Sequence, residues 1–246
     1  MATYLLDFDL NGADSIAHLI PGKVTHMECD TFIAFEGYFK ELLPKVGPDD
    51  LVIMDTISKA ADTTRGDMKL GVDPGEALWD KRGLYLGGDK NYLTVYEAAG
   101  QFIMRRLRNL RARGARIITT AHEDEQFDQT TLTKKRAPAM NDALYKSLMG
   151  SSSDVFRLRQ TDEDIDMGNG KVLPAYSRVL ELRPDGEAVT KFHVSPERSE
   201  KLPRRIVHPT LPKLYKTLDK KPSWLVVYGP PGVGKTTFAT SEDNNA

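Results

Sequence analysis

Hydrophobic positions along the chain follow two rhythms. Short runs rich in Val, Ile and Leu occupy residues 4–9, 51–55, 115–121, 155–159 and 224–228, with the length and branched side chains of buried strands. Between them, residues 30–43 place Phe32, Phe35, Phe39 and Leu42 or Leu43 at helical spacing, which predicts an amphipathic helix. A second helix is predicted over residues 93–113, where Val95, Ala99, Phe102, Ile103, Leu107 and Leu110 form the apolar stripe and Gly114 is placed to stop it. Strands alternating with helices predict an α/β fold with a mainly parallel sheet flanked by helices.

Three stretches break these rhythms. Residues 60–91 carry many glycines and little periodicity, and read as a long surface loop. Residues 178–192 read strand, turn at Pro184-Asp185-Gly186, strand, which predicts an edge β-hairpin. Residues 198–222 hold eight Lys and Arg against two acidic side chains, with four prolines, and read as an extended basic connector. The expected organisation is a core over 1–197, this connector over 198–222, and a strand and helix over 223–246 that complete the same core.

Composition narrows the class without defining it. The 246 residues are 40% hydrophobic and 28% charged, and 34 basic against 35 acidic side chains leave a net charge of −1. That is an ordinary globular balance, so any attraction to nucleic acid must come from local patches. A single cysteine, Cys29, cannot form an internal disulfide and points to a reducing cytoplasmic setting. Asp7 and Asp9 interrupt what would be the apolar part of a secretion signal, and no apolar run approaches the ~18 residues of a membrane span.

The sharpest chemical signal is near the end of the chain. The apolar run 224–228 leads into Gly229-Pro230-Pro231-Gly232-Val233-Gly234-Lys235-Thr236, followed by Thr237, and this fits the phosphate-binding pattern G-x-x-x-x-G-K-[ST] between a strand and a helix. Glycines let backbone N–H groups curl around an oxyanion, the helix start adds partial positive charge, Lys235 supplies a full charge over the phosphates, and Thr236 offers a hydroxyl to Mg²⁺. Such a site needs a carboxylate for the metal, and Asp55 ends the run 51–55. Strand-terminal Asp residues also start turns, and it is the phosphate loop that makes this one a metal candidate. Asp9, preferred to Asp7, is a candidate to orient or deprotonate a water, and His122 a candidate sensor of the terminal phosphate.

Together, WLVVYGPPGVGKTTF, YLLDFD, LVIMDTIS, IITTAHE, SSDVFRLR and RVLELRPDG resemble the phage nucleotide-binding, RecA-like ATPase family that includes single-strand annealing and recombination ATPases. The resemblance implies ATP and Mg²⁺ as ligands, nucleotide held between subunits of a homo-oligomer, phosphate and metal on Lys235 and Thr236, Asp55 as the Walker B acid, His122 as the polar sensor, and Asp9 in place of a catalytic Glu. If phage-encoded, the protein would work in the bacterial host cytoplasm. The motif order departs from the family, whose members begin with the phosphate-loop strand. Here that strand comes last, which implies a circular permutation, natural or engineered, with a truncated second domain or a swapped segment as rivals.

Basic clusters raise the question of nucleic acid. Arginines 105, 106, 108, 111, 113 and 116 lie along one helix and its exit and read as a solvated face. In RecA-like proteins the loop after the sensor strand contacts DNA, which makes Lys134, Lys135 and Arg136 candidates for backbone phosphates of single-stranded DNA. Lys191 is a candidate cationic finger toward a neighbour's nucleotide. The expected function is thus a DNA-stimulated ATPase. A phosphotransferase with a small acceptor and a nucleotide-binding module with negligible turnover are the alternatives.

Overall fold

The computed structural model describes residues 2–10, 24–48, 50–69, 92–128, 133–166, 170–183 and 188–241. The chain divides into two compact units, Met1–Thr119 with Met140–Ser151, and Thr120–Ala139 with Ser152–Ala246. This division cuts within the predicted core 1–197. The architecture is α/β, with parallel strands among flanking helices as the sequence predicts.

In the first unit, β1 (Thr3–Asp7), β2 (Val24–Glu28), β3 (Leu51–Asp55) and the opening residues of β4 (Arg116–Asp128) run parallel in the order β4-β3-β1-β2. All five residues of β3 are buried, as expected of a strand covered on both faces. Helix α1 (Phe32–Leu42) starts where Thr31 accepts a hydrogen bond from the Ala34 N–H at 3.2 Å. Its aromatic face packs on α3 (Tyr92–Ala112), with Phe32 and Phe102 ring centres 4.7 Å apart. Gly114 follows α3 with φ +92°, and a side chain there would press on Pro48.

Residues 60–69 of the predicted loop belong instead to helix α2 (Ile57–Lys69). Its buried Ile57, Ala60 and Thr64 recur at helical spacing, and that face outweighs the ~1 kcal/mol cost of Gly66. Residues 70–91, the rest of the predicted loop, lie outside the described residues.

The arginine helix is only partly a solvated face. Arg106 is buried, donates to both oxygens of Glu36 at 2.9 and 2.6 Å, and lies over the Phe102 ring at 4.4 Å. Arg108 donates to the hydroxyls of Ser147 and Ser151, and Arg111 to the Ser151 carbonyl, which fastens α3 to α4 (Asp142–Ser151). These three guanidiniums are engaged in holding the unit together.

Cys29 is fully buried beside β1. Burial above all, then the charges of Asp7 and Asp30, push its thiol up to about 12. At pH 8 a disulfide-exchange reagent should therefore modify the folded protein about 100-fold or more slower than the denatured chain. The unfolded thiol ionises near ~8.5, so stability should also decline as pH rises past that value, because the unfolded state loses its proton first. Equal labelling rates with and without denaturant would show that this packing is wrong.

In the second unit, the remainder of β4 forms an antiparallel hairpin with β5 (Thr133–Pro138). Strand β11 (Trp224–Gly229) runs parallel to β6 (Asp154–Gln160), which pairs antiparallel with β9 (Arg178–Glu181), and β9 pairs antiparallel with β10 (Arg205–Val207). A small separate pair joins β7 (Ile165–Asp166) to β8 (Val172–Leu173).

Two sequence expectations change here. The predicted hairpin 178–192 does not form, because both edges of β9 are taken by β6 and β10. Past the predicted turn, which lies outside the described residues, Ala188 bridges Arg136 and Lys191 bridges Val155. The stretch 198–222 is no extended connector either: it carries the end of α5 (Pro196–Lys201), strand β10 and helix α6 (Leu211–Leu218). Pro212 sits in the first turn of α6, where a missing N–H costs nothing, and Leu211, Leu214 and Leu218 supply the buried face.

Candidate functional site

The glycine loop grows out of a strand with no exposed residue. All of Trp224–Gly229 is buried, and β11 lies against β6 with Tyr228 opposite Arg157. A side chain at Gly229 would collide with the Leu158 carbonyl of β6, so glycine is required for the strand to come this close. Gly232 and Gly234 adopt φ +73° and +87°, the left-handed region that favours glycine. The loop ends at α7 (Lys235–Ala239), anchored by buried Phe238 and Ala239.

Lys235 is only 6% exposed, and its ammonium donates to the carbonyls of Gly229 at 3.2 Å and Pro230 at 2.9 Å. The charge is thus curled into the loop. Val233 is buried, Pro230, Thr236 and Thr237 are half-buried, and Pro231 and Gly232 face solvent. Left-handed backbone at Gly232 and Gly234 and the curled-in ammonium of Lys235 form a donor set that suits a phosphate chain, with Thr236 next in sequence as the residue that would meet its metal. Arg178 of β9 stands at the same loop: its guanidinium nitrogen lies 2.8 Å from where a Gly234 side chain would begin.

Tyr228, the residue before the loop, ties it to the β4–β5 hairpin. Its hydroxyl lies 2.8 Å from the Val189 carbonyl and 3.0 Å from that of Arg136, and burial pushes it well above the ordinary tyrosine range. Arg157, opposite it, donates to both oxygens of Glu123 at 2.6 and 3.0 Å and pairs with Glu181, which also takes Arg159 at 2.6 Å. Burial opposes the Arg157 charge, but Glu123 and Glu181 outweigh it and leave the guanidinium above its ordinary value.

The acidic residues belong to the first unit. Asp7 and Asp55 end neighbouring parallel strands in direct register, and both are buried. Asp7 is taken up by structure: one oxygen accepts from the N–H groups of Asp9 at 3.1 Å and Leu10 at 3.0 Å, and the other meets His26 at 3.1 Å. The turn so formed leaves Asp9 half-exposed. His26, considered in the sequence only beside Cys29, is engaged with Asp7.

The remaining candidates lie in the second unit. His122 is a half-buried residue of β4 whose carbonyl accepts from the Ala139 N–H at 2.7 Å. Lys134, Lys135 and Arg136 lie on β5, a strand rather than a loop, and the tip 129–132 lies outside the described residues. Glu125 pairs with Lys134 at 3.1 Å and with Arg136 at 2.8 Å. The hydrogen bond from Lys134, with the charges of Arg136 and Lys134, holds the Glu125 carboxyl below its usual value. Lys191 donates to the Ser152 carbonyl at 2.7 Å, and its backbone pairs with Val155 near the start of β6. That is the end of the strand opposite the glycine loop.

In comparisons with known proteins, no family model, curated protein or solved structure matches this chain. Among the described residues no helix is long and apolar enough to cross a membrane.

Proposed function

We propose that this chain binds ATP with Mg²⁺ at the 229–237 loop and hydrolyses it as a RecA-like ATPase acting on single-stranded DNA. One observation carries the reading: a lysine buried in a loop whose glycines are required by close strand packing at Gly229 and by left-handed backbone at Gly232 and Gly234. Holding a buried ammonium on carbonyl oxygens is a poor use of a charge unless an anionic ligand takes it over.

On this reading Lys235 neutralises phosphate charge, Thr236 offers its hydroxyl to the Mg²⁺, which would spread the charge of the phosphate oxygens, and Asp55 is the Walker B acid of the motif set. Asp9 positions or deprotonates the water, and His122 senses the terminal phosphate. Lys134, Lys135 and Arg136 contact DNA, with Lys191 reaching a neighbouring subunit in a homo-oligomer. A circularly permuted RecA-like chain remains the reading of the motif order. It is supported by a buried strand entering the phosphate loop and by parallel strands ending in Asp7 and Asp55.

The test is steady-state phosphate release from Mg-ATP with and without single-stranded DNA. Release should rise severalfold with DNA, and the increase should shrink when Lys134, Lys135 and Arg136 are all replaced by Ala. Release that ignores DNA would remove the nucleic-acid half of the reading, and transfer of phosphate to an added small acceptor would favour a phosphotransferase.

A further inference from the structure

We propose that Arg178 is a phosphate-binding residue of the same site, supplied by the chain that carries the loop. The inference rests on the nucleotide reading above. It begins with position: β9 runs antiparallel to β6, and Arg178 opposes Gln160, the last residue of β6. The start of β9 is thereby carried to the end of the sheet where β11 passes into the glycine loop. The Arg178 backbone is fixed on its other side, where its carbonyl accepts from the His208 N–H at 2.8 Å.

From that anchored backbone the side chain reaches the loop. One guanidinium nitrogen lies 2.8 Å, and the guanidinium carbon 3.8 Å, from the point where a Cβ of residue 234 would stand. Gly234 is held to glycine by its φ of +87°, and the tip of this guanidinium lies against the same position. The residue after Gly234 is Lys235, so two cations converge on one turn of backbone.

The other guanidiniums nearby are already spent. Arg157 and Arg159, on β6, are committed to Glu123 and Glu181. Arg178 is exposed, and its guanidinium has no carboxylate or carbonyl partner among the described residues. Five unspent donors beside a phosphate loop that already holds a lysine fit a polyanion, because the fork geometry of guanidinium matches phosphate oxygens. The occupant is the polyphosphate of the nucleotide, and Arg178 touches that chain rather than the base.

Binding of a fluorescent ATP analogue, with competition by inorganic pyrophosphate, separates the possibilities. Arg178→Ala should weaken both ligands about 10- to 100-fold, the loss expected for a charge-assisted hydrogen bond. Arg178→Lys should recover part of it, and the Ala variant should show a salt dependence of binding that is shallower than in the wild type. Melting temperature should not change, because the side chain is exposed. Affinity that is unchanged or tightened in Arg178→Ala, or a loss with the ATP analogue that pyrophosphate does not share, would overturn the assignment. Lys235→Ala is the companion variant: if it alone loses binding, the nucleotide reading stands and only Arg178 is wrong. If it binds like wild type, the nucleotide reading itself fails.

Discussion

Lys235→Ala should lose Mg-ATP binding by about 100-fold or more and reduce phosphate release to background, while melting within a few degrees of the wild type. Two facts set these opposite expectations. In the folded chain the ammonium is buried and bonded to the carbonyls of Gly229 and Pro230. Those bonds offset the desolvation of the charge, and removing Lys235 takes away that desolvation cost along with the bonds, while the carbonyl of half-buried Pro230 stays close to water. Stability therefore changes little. Binding changes greatly, because no neutral side chain can replace a full charge at the phosphates. Isothermal titration for affinity and a melt for stability measure the two effects on one sample. A large drop in melting temperature would mean that the lysine is a structural strut of the loop, and unchanged affinity would remove the nucleotide site.

What could be read in advance divides along a physical line. Strand β3, the glycine-loop strand and helix α1 were legible because their signals are local: an unbroken apolar run, or Phe32, Phe35 and Phe39 at helical spacing. The backbone shape of the glycine loop was legible for the same reason, since Gly229 to Thr236 are consecutive and Gly232 and Gly234 take the left-handed turns that glycine favours. Partner choice is not local. Nothing in residues 178–192 announces that β9 has both edges occupied by strands from residues 154–160 and 205–207, so β9 was given a hairpin partner that it does not take.

Punctuation residues misled in a second way. Gly66 and Pro212 were read as breakers, whereas one is tolerated inside α2 and the other stands in the first turn of α6. Arg178 escaped notice because no spacing in the sequence links it to Gly234, 56 positions later. Only the antiparallel register of β9 on β6 brings it to the loop.

Register also places a buried charged network next to the strand that enters the loop. Arg157→Ala should destabilise the protein by about 3–5 kcal/mol, the cost of breaking a buried ion pair from one side. Arg157 is 11% exposed and stands between Glu123 and Glu181, at 8% and 7%. Removing it leaves Arg159 to balance Glu181 and takes from Glu123 its bidentate partner. An uncompensated carboxylate beside a buried strand then favours opening. Arg157→Ala with Glu123→Gln should recover part of the loss, since the double variant leaves no bare charge. The loop should feel the change too, because Arg157 opposes Tyr228 in register and the next residue, Leu158, is the one whose carbonyl excludes any side chain at Gly229. Denaturant melts test the energetics, and nucleotide affinity in the same variant tests the coupling. A deficit below about 1 kcal/mol, the worth of an exposed pair, would show that the network is solvated and carries no such load.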